Sequence, residues 1–196
     1  MSFSVKRVFS AESGKGTFNY LDTQKKYELT KTILFFSISL AIFFMGLWST
    51  KTTSNYLTIV AVLGCLPASK WAVTTFIFWR YKSLSSDVVA RIEQRKGTLC
   101  NLYDMVFTSY NENFVVSHLV IADKTICGYS MRPDFNEKAF QSHLNSILRT
   151  DGYKDITIKI FTNLEKYEER LQQLAELEQS DKRILDIAKL LKSVTL

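Results

Sequence analysis

Two long apolar runs lie in the first half of the chain. Residues 32–48 carry no charged side chain, and residues 56–79 carry one, Lys70. The hydrocarbon core of a bilayer is about 30 Å thick and needs about 20 helical residues to cross it, so both runs are long enough. Because only a short polar segment separates them, they predict an antiparallel transmembrane hairpin. The alternative is a pair of buried core helices in a soluble protein.

The second run contains residues that disturb a helix. Pro67 lacks a backbone donor, and Gly64 weakens the turn before it. We therefore expect a kink or a short unwound stretch over residues 64–69.

Lys70 is the one charge inside either run and lies roughly 13 Å from Trp79 along the helix. Three interpretations are open. The side chain snorkels to the inner interface, or it faces a helix interface or aqueous cavity with Thr74 as its polar neighbour, or the second segment is partly re-entrant. Lys70, Pro67 and Thr74 are therefore the candidate functional residues within the membrane.

Beyond the hairpin the hydrophobic spacing alternates between the helical and the strand period. A helix that begins at Ser85 or Ser86 comes first. Strands are predicted over residues 98–109, 114–122, 125–130 and 156–161, and further helices over residues 136–150, 163–178 and 181–194. The predicted fold is a helical transmembrane hairpin plus an α/β (α+β) soluble domain of order α-β-β-β-α-β-α-α. The division is a leader and helix extension (1–31), the hairpin (32–79) and a cytoplasmic α/β domain (80–196).

The element order and three strand sequences carry a family resemblance. Residues 117–121 (SHLVI), 125–129 (TICGY) and 160–162 (IFT) resemble strands of nuclease-related domains of the NERD type, within the restriction-endonuclease-like fold. The chain thus resembles a two-span bacterial membrane protein with a degenerate domain of this type. The resemblance implies a metal-dependent nuclease core, in which carboxylates and a lysine on adjacent strands hold Mg²⁺ and orient water.

The residues that such a nuclease needs are missing from these strands. Ser117 stands where an Asp is expected, and the third strand offers neither a carboxylate nor a lysine at residues 128–131. Asp123 and Lys124 are adjacent in a predicted turn, where solvated side chains are the simplest interpretation. We therefore predict no catalytic residue, no metal ligand and no cofactor, and His118 and His143 are interpreted as structural.

Charge and cysteine content narrow the function classes further. Of the net charge of +6, half comes from residues 1–31, with six basic and three acidic groups, and Lys51 and Lys70 add two more, whereas residues 80–196 carry seventeen basic and sixteen acidic groups. A nearly neutral domain does not favour nucleic acid as a partner. Cys65, Cys100 and Cys127 form no CxxC pair, so a zinc site is not expected.

These observations favour a membrane-tethered, non-catalytic interaction or regulatory module. The expected partners are the lipid bilayer and either a protein or a second copy of the chain. Two alternatives remain open, a subunit of an oligomeric membrane assembly or pore and a nuclease-like enzyme. The expected location is the cell membrane, multi-pass.

The basic residues predict that both termini are cytoplasmic, because they flank the outer ends of the hairpin while its connecting segment carries Lys51 alone. A reporter that is active only in the cytoplasm should give signal when fused at Met1 and when fused at Leu196. Silence at both positions would place the α/β domain on the opposite side.

Overall fold

The computed structural model describes residues 14–53, 55–110, 112–176 and 181–196. The chain divides into two compact units. One includes Leu21–Lys82 and consists of two long helices, and the other combines Gly14–Tyr20 with Ser83–Leu196 in an α/β domain.

The two helices, α1 (Tyr20–Thr50) and α2 (Tyr56–Trp79), form the predicted antiparallel hairpin. The Oγ1 atoms of Thr32 and Thr75 are 3.3 Å apart, and the rings of Phe35 and Trp71 lie 4.2 Å apart. Each helix is long and apolar enough to cross a membrane. Asn55 caps the start of α2 by accepting a hydrogen bond from the backbone of Thr58.

The short unwound stretch, one of the two outcomes expected for the second run, is absent from it. Helix α2 is continuous from Tyr56 to Trp79 with Pro67 inside it, so residues 64–69 contain no unwound stretch. Pro67 lacks the backbone donor that would reach the carbonyl of Leu63, four residues earlier, and the helix continues past this missing hydrogen bond. Ser69 Oγ donates to a different carbonyl, that of Leu66.

The two helices pack together through small residues that recur every seven positions along each helix. We name this line of contact the small-residue seam. It consists of Ser39, Gly46, Ala61, Ala68 and Thr75, all of them buried. Two glycines at this contact leave no room for a larger side chain. A Cβ at Gly64, next to the seam, would lie 2.7 Å from Ser39 Oγ, and a Cβ at Gly46, within the seam, would lie 2.8 Å from Leu57 Cβ. Small residues let helix backbones approach closely and gain van der Waals contact, which drives helix association in lipid.

The α/β domain contains a four-stranded mixed sheet. The strands are β1 (Cys100–Thr108), β2 (Asn113–Ala122), β3 (Thr125–Tyr129) and β4 (Thr157–Phe161), and they lie in the order β1-β2-β3-β4. The first two neighbouring pairs are antiparallel and the third is parallel. The helices are α3 (Ser86–Arg95), α4 (Glu137–Thr150), α5 (Leu164–Ala175) and α6 (Asp181–Ser193). The observed element order is the predicted one.

The sheet is covered by helices on both faces. Phe140 and Leu144 of α4 and Ile187 and Leu191 of α6 share one buried cluster with the strands. Ile92 of α3 and residues of α5 share a second cluster on the other face. Both faces of the sheet are buried, which explains why β2 reads as an almost continuous apolar run.

Local signals account for most element boundaries. Asn136 and Asn163 accept backbone hydrogen bonds as the N-caps of α4 and α5. Asp123 and Lys124 form the predicted turn, in which Asp123 has φ +43. The predicted end of the α5 helix at residue 178 lies outside the described residues, which stop at 176 before this gap.

The α/β domain includes chain from before the hairpin. Tyr103 N donates to Gly16 O at 3.0 Å, and Phe18 packs edge-on against the Tyr103 ring at 6.0 Å. Beyond the hairpin, Ser83 Oγ donates to the carboxylate of Asp104, the residue that follows Tyr103 in β1. Part of the predicted leader, Gly14–Tyr20, therefore belongs to this domain, and the hairpin is an insertion in it.

We predict that Gly16→Ala destabilises the domain more than Gly152→Ala does. Both glycines have positive φ, +80 and +83, so the conformational cost is matched at about 1–2 kcal/mol. A Cβ at Gly16 would lie 2.8 and 2.9 Å from side-chain atoms of Lys192 and Leu102, whereas Gly152 has nothing within 4 Å. Urea unfolding of the full chain in detergent should show an extra loss of about 1–3 kcal/mol for Gly16→Ala. Equal losses would mean that the segment does not pack on β1.

Candidate functional site

Four aromatic side chains meet between the sheet and helices α3 and α5, and we name them the tyrosine–histidine cluster: Tyr103, His118, Tyr129 and Tyr167. They come from β1, β2, β3 and α5 respectively. His118 and Tyr167 are 0% exposed and Tyr103 is 5% exposed. His118 is therefore completely buried, and the alternation of residues along β2 does not predict this burial.

Short contacts join the members of the cluster. His118 Nδ1 and Tyr167 OH are 2.6 Å apart, and the His118 ring lies 4.4 Å from the Tyr103 ring. Tyr129 stacks on Tyr167 at 5.6 Å. Nε2 of His118 is buried without a hydrogen-bond partner in the described part of the chain. Of the two ring nitrogens, only Nδ1 has the partner that a structural histidine is expected to have.

Charged groups of α3 extend the cluster towards the surface. Tyr103 OH donates to Glu93 Oε1 at 2.5 Å, and Lys96 Nζ lies 2.7 Å from Glu93 Oε2. Burial opposes ionisation of Glu93, but hydrogen bonds from Lys96 and Tyr103 bring its pKa below the usual value. The Glu93 carboxylate thus anchors the end of α3 to β1.

The environment keeps the cluster uncharged. Burial, reinforced by the charge of Lys96, lowers the pKa of His118 to about 3. Burial raises the pKa of Tyr103 and of Tyr167 and raises the pKa of the neighbouring Cys127 thiol to about 12. General acid–base catalysis works best when the group titrates near the working pH. The pKa values of His118, Tyr103, Tyr167 and Cys127 are shifted away from neutral pH, so these side chains are suited to holding the sheet and helices together.

A buried carboxylate paired with two arginines lies next to the cluster. Arg91 and Arg95 of α3 reach Glu168 Oε2 of α5 at 2.9 and 3.0 Å. Glu168 is 1% exposed, and its Oε1 has no partner among the described residues. The arginine side chains are about half exposed and keep contact with water while they connect α3 to α5. The contact is needed chiefly by Glu168, because a buried carboxylate without a cation would be left uncompensated.

The strand positions singled out by the nuclease resemblance hold buried polar groups of a different kind. The registers of β1, β2 and β3 place Asp104, Ser117 and Ser130 side by side. Asp104 is 3% exposed with φ +55, and Ser130 Oγ donates to Val115 O. Ser117 Oγ is buried and finds no hydrogen-bond partner among the residues that the structure describes. In the described residues no group of three or more His, Cys, Asp or Glu side chains could hold a metal ion.

Asp104 was not singled out by the sequence. Aspartate tolerates positive φ better than most residues, but a run of strand-forming neighbours gives no sign that one residue adopts it. The irregularity appears only where β1 pairs with β2: the ladder includes the pairs on either side and omits Asp104.

The candidate membrane residues lie on the hairpin surface. Lys70 and Pro67 are exposed and Thr74 is half-buried, and Thr74 Oγ1 donates to the carbonyl of Lys70 at 3.0 Å. Lys70 is two residues from Ala68, or about 200° around the helix, and therefore faces away from the small-residue seam. Its ammonium has no hydrogen bond or ion pair within the described part of the chain.

Comparison with known proteins provides no relative. The sequence matches no family model, no curated protein and no solved structure. The functional argument therefore rests on the geometry.

We predict that the α/β domain loses stability as the pH falls below 6.5. The unfolded chain binds a proton at His118 near its ordinary pKa of 6.5, whereas the folded chain does so only near pH 3. The stabilisation is complete above pH 6.5 and is lost between these values, at no more than about 1.4 kcal/mol per pH unit. His118→Gln should remove this slope in urea unfolding of the full chain between pH 7.5 and 4.5. His143→Gln, which changes the other histidine, should keep it, and an unchanged slope in His118→Gln would contradict the assignment.

Proposed function

We propose that the chain is a membrane-tethered, non-catalytic interaction or regulatory module. In this proposal the hairpin crosses the bilayer and holds the α/β domain at its cytoplasmic surface. The observation that carries the proposal is the apolar surface that both long helices expose around the small-residue seam.

Large apolar side chains are exposed along both helices. On α1 they are Ile33, Leu34, Phe36, Ile38, Leu40, Phe44, Met45 and Trp48, and on α2 they are Ile59, Val60, Val62, Leu63, Leu66, Val73, Phe76 and Trp79. Monomeric soluble proteins rarely expose a contiguous apolar surface of this extent. Core helices of a soluble protein would be covered, yet only 11% of the apolar window is buried in each helix. Lipid is the covering that fits such a surface on two helices of this length.

The register of the hairpin supports the same conclusion. Thr32 and Thr75 face each other at one end, and from there the apolar segments reach about 24 Å to Trp48 on α1 and about 28 Å to Tyr56 on α2. Both lengths are close to the bilayer core of about 30 Å. Just beyond Thr32 lies an ion pair between Lys31 and Glu28 at 3.0 Å, where a headgroup region would begin.

The same register brings Lys70 closer to the interface. Measured to the level of Thr75, where α1 becomes polar, its depth is about 7 Å, in place of the 13 Å counted to Trp79. A lysine stem can cover such a distance and keep its ammonium in the headgroup region. The geometry therefore favours the snorkelling interpretation.

The α/β domain supports a binding role over a chemical one. Its order from α3 to β4 and its sheet order agree with the resemblance to restriction-endonuclease-like domains, which we propose as its origin. At the strand positions where that chemistry would require carboxylates and a lysine, this chain has Ser117, Tyr129 and Ser130. We propose that the core is retained as a scaffold whose outer surface binds a protein or a second copy.

An oligomeric membrane assembly is the second candidate, favoured by one observation. Lys70 is exposed on an apolar helix face, where a second helix could compensate its charge. The two candidates differ in what removal of that charge does.

We predict that the wild-type chain resists alkaline carbonate extraction from membranes and that Lys70→Leu leaves its size in detergent unchanged. Leucine should insert more favourably, by at most about 3 kcal/mol. Ala68→Leu is the control, since Ala68 is 0% exposed in the seam and a larger side chain should separate the helices. A smaller particle for Lys70→Leu alone would favour the assembly, and extraction of the wild type by carbonate would overturn the membrane tether.

A further inference from the structure

We propose that Lys26, Arg80 and Lys82 form a binding site for the headgroups of acidic phospholipids. The three residues, which we name the cation patch, lie at the end of the hairpin where the chain connects to the α/β domain. This inference rests on the proposed membrane function and adds a lipid class to it.

The cations near this end of the hairpin are of two kinds. Lys25 is paired with Asp22 at 2.7 Å, and Lys31 is paired with Glu28 at 3.0 Å. Lys26, Arg80 and Lys82 are exposed, and within the described residues no ion pair involves them. Local carboxylates therefore neutralise one group and leave the cation patch with its full charge.

The hairpin register places two members of the patch, Lys26 and Arg80, at a similar depth. Thr32 and Thr75 are level with each other. Lys26 lies about 9 Å beyond Thr32 along α1, and Arg80 about 7 Å beyond Thr75 along α2. Both residues are therefore outside the apolar segment by about the distance at which lipid phosphates lie, since headgroup regions add several ångströms to each side of the hydrocarbon core.

The chemistry of the patch fits an anionic headgroup. A guanidinium can bind phosphate oxygens through two parallel hydrogen bonds, while each lysine adds a compact charge. A zwitterionic lipid has the same phosphate, but its choline cancels the charge. Each unpaired cation near an anionic surface contributes about a fivefold preference, so three contribute up to about a hundredfold. At the other end of the hairpin Lys51 is the single cation.

Trp79 provides the probe, because it is 65% exposed and adjacent to Arg80. The full chain carrying Trp48→Phe and Trp71→Phe is placed in phosphatidylcholine nanodiscs that contain the same small fraction of either brominated phosphatidylglycerol or brominated phosphatidylcholine. The acidic brominated lipid should quench Trp79 fluorescence several-fold more strongly. Lys26→Gln, Arg80→Gln and Lys82→Gln together should make the two lipids equivalent, and so should molar salt. Lys51→Gln, the matched control, should keep the preference.

The outcomes separate this proposal from the membrane function. Equal quenching by the two lipids in the chain with its patch intact would overturn the headgroup site and leave the tether standing. Quenching by neither lipid would show that Trp79 is not in contact with the bilayer and would overturn the membrane function itself. A preference that survives the triple substitution would assign the selectivity to other residues and refute the patch.

Discussion

The closure of the β1 edge is the constraint on which the α/β domain depends. An edge strand presents unpaired backbone groups and invites pairing with other chains. Gly16 accepts from Tyr103 on this edge, Leu196 N donates to Val106 O, and Lys15 Nζ donates to Thr195 O at 2.6 Å. Segments from the two ends of the described chain thus meet on one strand. A domain closed in this way keeps a hairpin inserted between its parts without leaving the β1 edge open.

The tyrosine–histidine cluster next to this edge is polar but uncharged at neutral pH. Tyr103 takes part in the edge through its backbone, in the cluster through its ring, and in the contact with Glu93 through its hydroxyl. A partly satisfied buried network is costly, because an unpaired group in a low-dielectric interior loses its hydration without replacement. Nε2 of His118 carries that cost. The network therefore specifies how the helices sit on the sheet more than it adds to stability.

Sequence periodicity was sufficient for the element order because β4 and the helices of the α/β domain bury one side of themselves, whereas β1, β2 and β3 bury both. It could not reveal contacts that depend on distant partners. Glu168 reads as part of a solvated helix face, yet it is buried and paired with Arg91, which lies 77 residues away in the chain. Gly16 sits in a stretch that resembles a loose leader, and only its contact with β1 explains it. The pairing of Thr32 with Thr75 across the hairpin is also invisible in the sequence, so Lys70 could be located only by counting along α2 to Trp79.

The seam also limits how copies of the chain could associate. The faces that permit the closest backbone approach are already used within the hairpin, as the 0% exposure of Ala68 shows. A further helix packed in the membrane opposite α1 would have to contact the side of α2 that carries Lys70. Residues 32–48 and 56–79 contain no carboxylate that a second copy could offer to this lysine. Self-association through that face would bury an uncompensated ammonium, which is costly in hydrocarbon. A different protein that binds there must therefore bring its own acidic or strongly polar group. Lipid phosphates within reach of the lysine stem compensate the charge without any such group.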